Sequence, residues 1–199
     1  MGPEDILPTY ARVAQQWDGV RGAMPLVEKK WLKRMMRLAP GRRVLDLGCG
    51  SGRPIASYLA GRGALLTGVD GAEEMVAIFR RNVPVAEAVH ADMRRLNLDR
   101  QFDAILSWDS FFHLADDDQR AMFAVFARHA TPGAALMFTS GHVAGEAIGQ
   151  VEGHEVYHSS LSPLEYERLL KGHGFTVCYF RPEDPDCGGH TIWLARFTG

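Results

Sequence analysis

The sequence predicts an α/β domain: an open, mostly parallel seven-stranded sheet with its last strand antiparallel and helices on both faces. Three observations carry that expectation. Strand-like apolar runs and helix-like patterns alternate along the chain, and a strand pair with a short link closes it. The apolar residues of the first strand, Val44, Leu45 and Leu47, are nearly consecutive, which suits a strand covered on both faces. That strand stops abruptly at a glycine cluster, Gly48-Cys49-Gly50-Ser51-Gly52, and a helix-compatible segment follows.

Taken in order, Leu7, Tyr10, Val13, Ala14 and Trp17 keep helical spacing, so a first helix is expected over about 8–17, broken at Asp18-Gly19 with Gly22 adding a flexible joint. A second helix is expected from Pro25 to Leu38, stopped by Ala39-Pro40-Gly41. After the glycine turn, Pro54 suits a first helical turn, where N–H groups lack partners. A strand over 64–70, a helix over 71–82 and strands over 83–89 and 102–107 come next. The helix over about 117–129 opens on aspartates, favoured by the helix dipole, and stops at Thr131-Pro132-Gly133 before a strand over 134–139. Residues 141–160 are punctuated by glycine and show no helical period. Ser162-Pro163-Leu164-Glu165 reads as a capping box opening a helix that stops at Gly172-His173-Gly174. Strands over 175–180 and 191–197, joined by an acidic Pro/Gly-rich loop, complete the chain.

A chain of 199 residues suits one sizeable core, so a single domain over 1–199 is expected. Its 22 basic and 24 acidic residues leave a net charge of −2, which provides no global basic field for nucleic acid. The arginines Arg34, Arg37, Arg42 and Arg43 read as a solvated helix end. Three cysteines without a Cys-x-x-Cys pair form neither a zinc pattern nor a disulfide framework. With no signal-peptide pattern and no apolar run long enough for a membrane span, a cytoplasmic protein is expected.

A glycine turn between strand and helix is the general form of a nucleotide-binding loop. A dinucleotide would lay its pyrophosphate on that turn, where the carboxylate of Asp46, two residues before Gly48, would repel it. The glycines, spaced by two, are also out of the dinucleotide register. A ligand carrying an ammonium group suits the turn better. The run Val44-Leu45-Asp46-Leu47-Gly48-Cys49-Gly50-Ser51-Gly52 closely resembles the first motif of the class I S-adenosylmethionine (SAM)-dependent methyltransferases, whose Rossmann-like fold has seven strands with the last antiparallel.

That resemblance implies that Asp46, Gly48, Cys49, Gly50 and Gly52 hold the methionine portion of SAM. Asp70, ending the second strand before Gly71, implies a carboxylate on the ribose hydroxyls, a role that would serve NAD equally. Asp92 matches the acidic position that contacts the adenine amino group, with Met93 offering its backbone N–H; the plainer alternative is a surface turn. Met75 lies beside the adenine or in the core. The segment Ser107-Trp108-Asp109-Ser110-Phe111-Phe112-His113-Leu114 is similar to that of small-molecule methyltransferases such as those of ubiquinone and menaquinone biosynthesis. It lacks the Asn-Pro-Pro-Tyr or Asp-Pro-Pro-Tyr signature of methyltransferases acting on nucleobase or glutamine nitrogens.

Ser107 and Trp108 are accordingly expected against the cofactor, Phe112 against the acceptor, and Asp109 and His113 as the catalytic candidates. An ordinary histidine pKa near 6.5 makes His113 the better base and leaves Asp109 to orient or stabilise. The stretch 141–160 exceeds an ordinary connection and reads as a substrate-covering loop, with His142 and Tyr157 toward the substrate; its His and Glu residues lack metal-ligand spacing, so no metal is expected. Residues 1–24, with Tyr10 and Trp17, read either as a second lid or as an amphipathic helix packed on the sheet. The expected function is methyl transfer from SAM to a small molecule, leaving S-adenosylhomocysteine, by a monomer or homodimer with no nucleic-acid or membrane partner. A non-catalytic SAM-binding protein and, further off, a NAD-linked oxidoreductase are the alternatives.

Overall fold

The computed structural model describes residues 1–199. Its first half runs α1 (Ile6–Ala23), α2 (Lys29–Leu38), β1 (Arg43–Leu47), α3 (Ile55–Ala60), β2 (Leu65–Asp70), α4 (Glu73–Asn82), β3 (Glu87–His90) and β4 (Phe102–Ser107). The second half runs α5 (Asp116–His129), β5 (Ala130–Ser140), β6 (Gly145–Val151), β7 (His154–Ser160), α6 (Pro163–Gly172), β8 (Phe175–Asp184) and β9 (His190–Phe197).

Seven strands form one sheet in the order β3-β2-β1-β4-β5-β9-β8, and β6 and β7 form a separate two-stranded sheet. Pairing is parallel from β3 through β5, while β9 runs antiparallel to both neighbours. The expected fold is therefore the observed one. The two faces of the central strands divide the core between them, because successive side chains point oppositely. Leu45, Leu47, Ile105, Leu136 and Phe138 pack with Phe123 and Phe126 of α5 and Tyr166 of α6. The intervening Val44, Ala104, Leu106, Ala135 and Met137 pack with Trp31 and Met35 of α2, Leu59 of α3 and Phe79 of α4. Each fully buried Phe or Leu contributes about 1.5–3 kcal/mol over leaving it in water. No helix is long and apolar enough to cross a membrane.

Several boundaries differ from expectation, each for a physical reason. α1 is continuous through Gly19 and Gly22, so the hinge expected there is absent; tertiary packing overrides weak helix propensity, with Gly22 lying under the Arg53 side chain. The turn before α2 takes up residues 25–28, and β3 begins only at Glu87. α5 ends at His129, just before Thr131-Pro132-Gly133, but β5 starts at Ala130 rather than 134, running through these residues with a register shift against β4. β8 continues to Asp184. Ser162 does cap α6, accepting from the Glu165 N–H at 3.2 Å, but the Glu165 carboxylate accepts from Arg120 Nε at 2.7 Å instead of closing the box. The stretch 141–160 is the β6–β7 hairpin rather than a loop, turned at Glu152-Gly153.

Candidate active site

The C-terminal ends of β1, β2 and β4, together with residues following β3, open into one cavity. Asp46, in β1, is 4% exposed and its carboxylate makes no hydrogen bond within the protein. Burial, with the charge of Asp70 added, pushes it up to about 7. The turn beyond it is pinned from behind, as Gly48 and Cys49 donate N–H bonds to the Val69 carbonyl at 2.8 and 3.1 Å. Asp70 ties the turn to α4, its Oδ2 accepting from Gly50 N and its Oδ1 from Ala72 N, both at 2.9 Å. Burial raises Asp70 too, against the pull of these two N–H bonds.

Glycine is required at two places here. Gly48 has φ +72, and a Cβ on it would lie 2.2 Å from Ser110 Cβ. Gly50 has φ +53, and a Cβ there would meet nothing nearer than Trp17 Nε1 at 4.0 Å. The first protects packing; the second leaves the turn's backbone bare toward the cavity.

Cys49, Gly52, Gly71, Met75, Asp92 and Met93 line the same cavity. Met75 is buried, joining the core and the cavity wall at once. Asp92 is held below the usual carboxylate range chiefly by Arg94, which also bonds Asp118 at 2.9 Å. Ser107 departs from expectation: it is fully buried and hydrogen-bonded to Leu47 O and Ser110 Oγ, so it braces the β1 and β4 ends instead of facing the cavity. Trp108 lines the cavity, and its buried indole N–H has no partner.

The N-terminal helix supplies the opposite wall through Tyr10, Trp17 and Arg21. Arg21 is paired with buried Glu28. The Tyr10 hydroxyl stands 3.0 Å from His113 Nε2, and His113 Nδ1 stands 2.7 Å from the Tyr157 carbonyl. A carbonyl only accepts, so Nδ1 carries the proton and Nε2 accepts from Tyr10. Burial, reinforced by His158, lowers His113 to about 4 despite that carbonyl bond. The ring is therefore neutral, but the lone pair that the expected role as base would need is taken by the Tyr10 hydroxyl. Tyr157 lies apart from both cavities, its ring buried with Ile6 and Val13 and its hydroxyl donating to Glu146 at 2.7 Å, because the hairpin register turns it toward α1.

A second cavity adjoins the first. Tyr10, Trp17, Asp109 and His113 line both. Phe112, His142, His158 and His190 line the second but not the first, and Phe112, His142 and His158 extend into a third cavity beside it. Asp109 has φ +49 and is steadied by its N–H bond to Thr139 Oγ1 at 2.9 Å. Its Oδ2 lies 3.0 Å from His190 Nε2. His158, His190 and Arg21 were not singled out from sequence as site residues.

Residues 44–133 match the family described as "Methyltransferase domain". Among curated proteins, the chain is 32% identical over 108 residues to the ubiquinone biosynthesis O-methyltransferase of Hahella chejuensis, a match covering 51% of this chain and 44% of the relative. The chain thus spans about half the length of that relative. Among solved structures, the CcbJ methyltransferase from Streptomyces caelestis superposes with a TM-score of 0.74 at 18% identity, over 96% of both chains. SAM-bound CalS10, an amino pentose methyltransferase from Micromonospora echinaspora, superposes with a TM-score of 0.71 at 18% identity, over 90% of this chain and 95% of that one. Likeness at this identity shows a shared fold.

Proposed function

We propose that this chain, whose residues 44–133 carry a methyltransferase domain on the class I methyltransferase fold, transfers a methyl group from SAM to a small-molecule acceptor. The observation that carries the reading is Asp46: a buried carboxylate facing a cavity, without a partner, beside a bare glycine turn. Such a group calls for a cation, and SAM brings an α-ammonium where a dinucleotide would bring a pyrophosphate. The residues present fit the molecule. Asp46 and the Gly48–Gly52 turn would hold the amino-acid portion, with the unpartnered Ser51 hydroxyl at hand; Asp70 would accept from the ribose; Asp92, Met93 and Met75 would bound the adenine. SAM supplies an electrophilic methyl group on a sulfonium, so the protein's work is mainly alignment and exclusion of water.

The acceptor would enter through the second cavity, and the methyl would cross where Tyr10, Trp17, Asp109 and His113 wall both. Tyr10 is fixed by His113 and keeps its proton, since burial raises its pKa. Tyr10 and His113 therefore orient rather than ionise. α1 and the β6–β7 hairpin act as covers over the two cavities, and opening requires them to move as units because neither contains a loop hinge. Methyl-labelled SAM incubated with metabolite fractions should yield a labelled small molecule; label retained wholly in SAM across all fractions would speak for a binding protein.

A further inference from the structure

The second cavity is lined by two carboxylates, Asp109 and Glu183, and by no lysine or arginine. Its one cationic ring, His190, is already paired with Asp109. The His158 ring, from β7, makes no hydrogen bond; its centroid lies 4.8 Å from Phe112 and 4.9 Å from His113. Across the hairpin, a Cβ on Gly149 would come within 2.7 Å of His158 Cε1, so the glycine makes room for this ring. The charged and titratable groups lining the same cavity are Asp109 and His113 from the β4 exit, Tyr10 from α1, His142 with its Nδ1 3.6 Å from Glu183 Oε1, and His190 beside Asp109. Burial lowers His158, with Asp109 opposing, which leaves a neutral imidazole with a free lone pair at pH 7.

Resting on the methyl-transfer reading above, we propose that the second cavity takes a small polar amine as methyl acceptor, with Asp109 as its charge partner and His158 taking its proton. An acceptor bearing a phosphate, a carboxylate or a phenolate would face Glu183 and an Asp109–His190 pair, a lining with more carboxylate than cation and no lysine or arginine to answer it. A long apolar chain would find a wall made largely of glycines, imidazoles and hydroxyls. An ammonium finds the opposite: carboxylates to attract it and a neutral base to release its lone pair. The bound ammonium gives one proton to His158, and the freed nitrogen pair forms the new N–C bond. The old bond from methyl carbon to sulfur breaks with its electrons onto sulfur. The product leaves as an N-methylammonium, and His158 returns its proton to solvent.

The test uses protein with carbon-13-labelled histidines, saturated with S-adenosylhomocysteine, and three matched probe sets. The amines are glucosamine, ethanolamine and benzylamine; the alcohols are glucose, ethylene glycol and benzyl alcohol; the acids are gluconate, glycolate and benzoate. At least one amine should shift the His158 resonance, binding about ten-fold or more tighter than its alcohol and acid counterparts, and Asp109→Asn should remove that preference. His158→Gln should keep S-adenosylhomocysteine affinity while losing the pH dependence of amine binding. An acid or alcohol binding as well as its amine, or no amine moving His158, overturns the proposal. Failure to bind S-adenosylhomocysteine at all would instead overturn the methyltransferase reading.

Discussion

His190 places both ring nitrogens against oxygens: Nε2 lies 3.0 Å from Asp109 Oδ2, and Nδ1 lies 2.6 Å from the Cys187 carbonyl. Facing two acceptor oxygens, both nitrogens donate and the ring is an imidazolium, its centroid 5.1 Å from that of Trp108 with the two planes tilted by 40°. The pair fastens the start of β9 to the exit of β4, at the seam between the two cavities.

Burial alone would lower His190, but Asp109's hydrogen bond and charge, with the Cys187 carbonyl, outweigh it and raise the pKa. A histidine raised on folding stabilises fully below its unfolded value near 6.5 and loses that contribution as pH rises through the folded value. Both side chains keep some solvent contact, so the pair should contribute at most about 1 kcal/mol. Urea titrations of the parent and His190→Gln should differ most near pH 6 and converge by pH 9. A difference independent of pH would mean that the ring acts by packing alone.

Asp46 works in the opposite sense to a stabilising carboxylate. Its folded pKa of about 7 lies above the unfolded value, so stability is complete at low pH and falls as pH rises through 7. Asp46→Asn should therefore stabilise the ligand-free protein at pH 8, by up to about 4 kcal/mol, with little effect at pH 4. The same variant should lose about 100-fold or more in affinity for S-adenosylhomocysteine. A variant less stable at pH 8, or one that binds as before, would remove Asp46 from its assigned role.

Two alanine substitutions in the glycine turn should separate folding from binding. Gly48→Ala drives a Cβ into Ser110 at φ +72 and should cost about 3 kcal/mol or more. Gly50→Ala faces open cavity, so it should cost only about 1–2 kcal/mol of backbone strain while weakening S-adenosylhomocysteine about ten-fold or more. Thermal melts and calorimetry on both proteins check this; equal binding losses at equal stability would contradict it.

The lining of the first cavity was legible because its signals are local in sequence. Asp46, the glycine turn, Asp70 and Asp92 follow strand ends within a few residues, and a parallel sheet puts all such ends on one edge. His190 escaped because it begins a strand. β9 runs antiparallel between β5 and β8, so its first residues, not its last, reach the ligand edge, where Thr191 pairs with Ser140. No local pattern around Gly188-Gly189-His190 reveals that insertion. The hairpin over 145–160 was missed because glycines at 145, 149 and 153 obscure its alternation, so that Tyr157 was expected toward the substrate and His158 was given no place. His113 was singled out from the sequence but its contacts were not, since its partners Tyr10 and Tyr157 are distant in sequence, and burial at that junction lowers its pKa.

The central claim is that the glycine-turn cavity holds SAM, and calorimetric titration with S-adenosylhomocysteine, with NAD as comparator, tests it most directly. The predicted result is one S-adenosylhomocysteine per chain, weakened by on the order of 1–3 kcal/mol in Asp70→Ala through lost hydrogen bonds to a charged group, and no heat from NAD. Tight NAD binding with none to S-adenosylhomocysteine would contradict it.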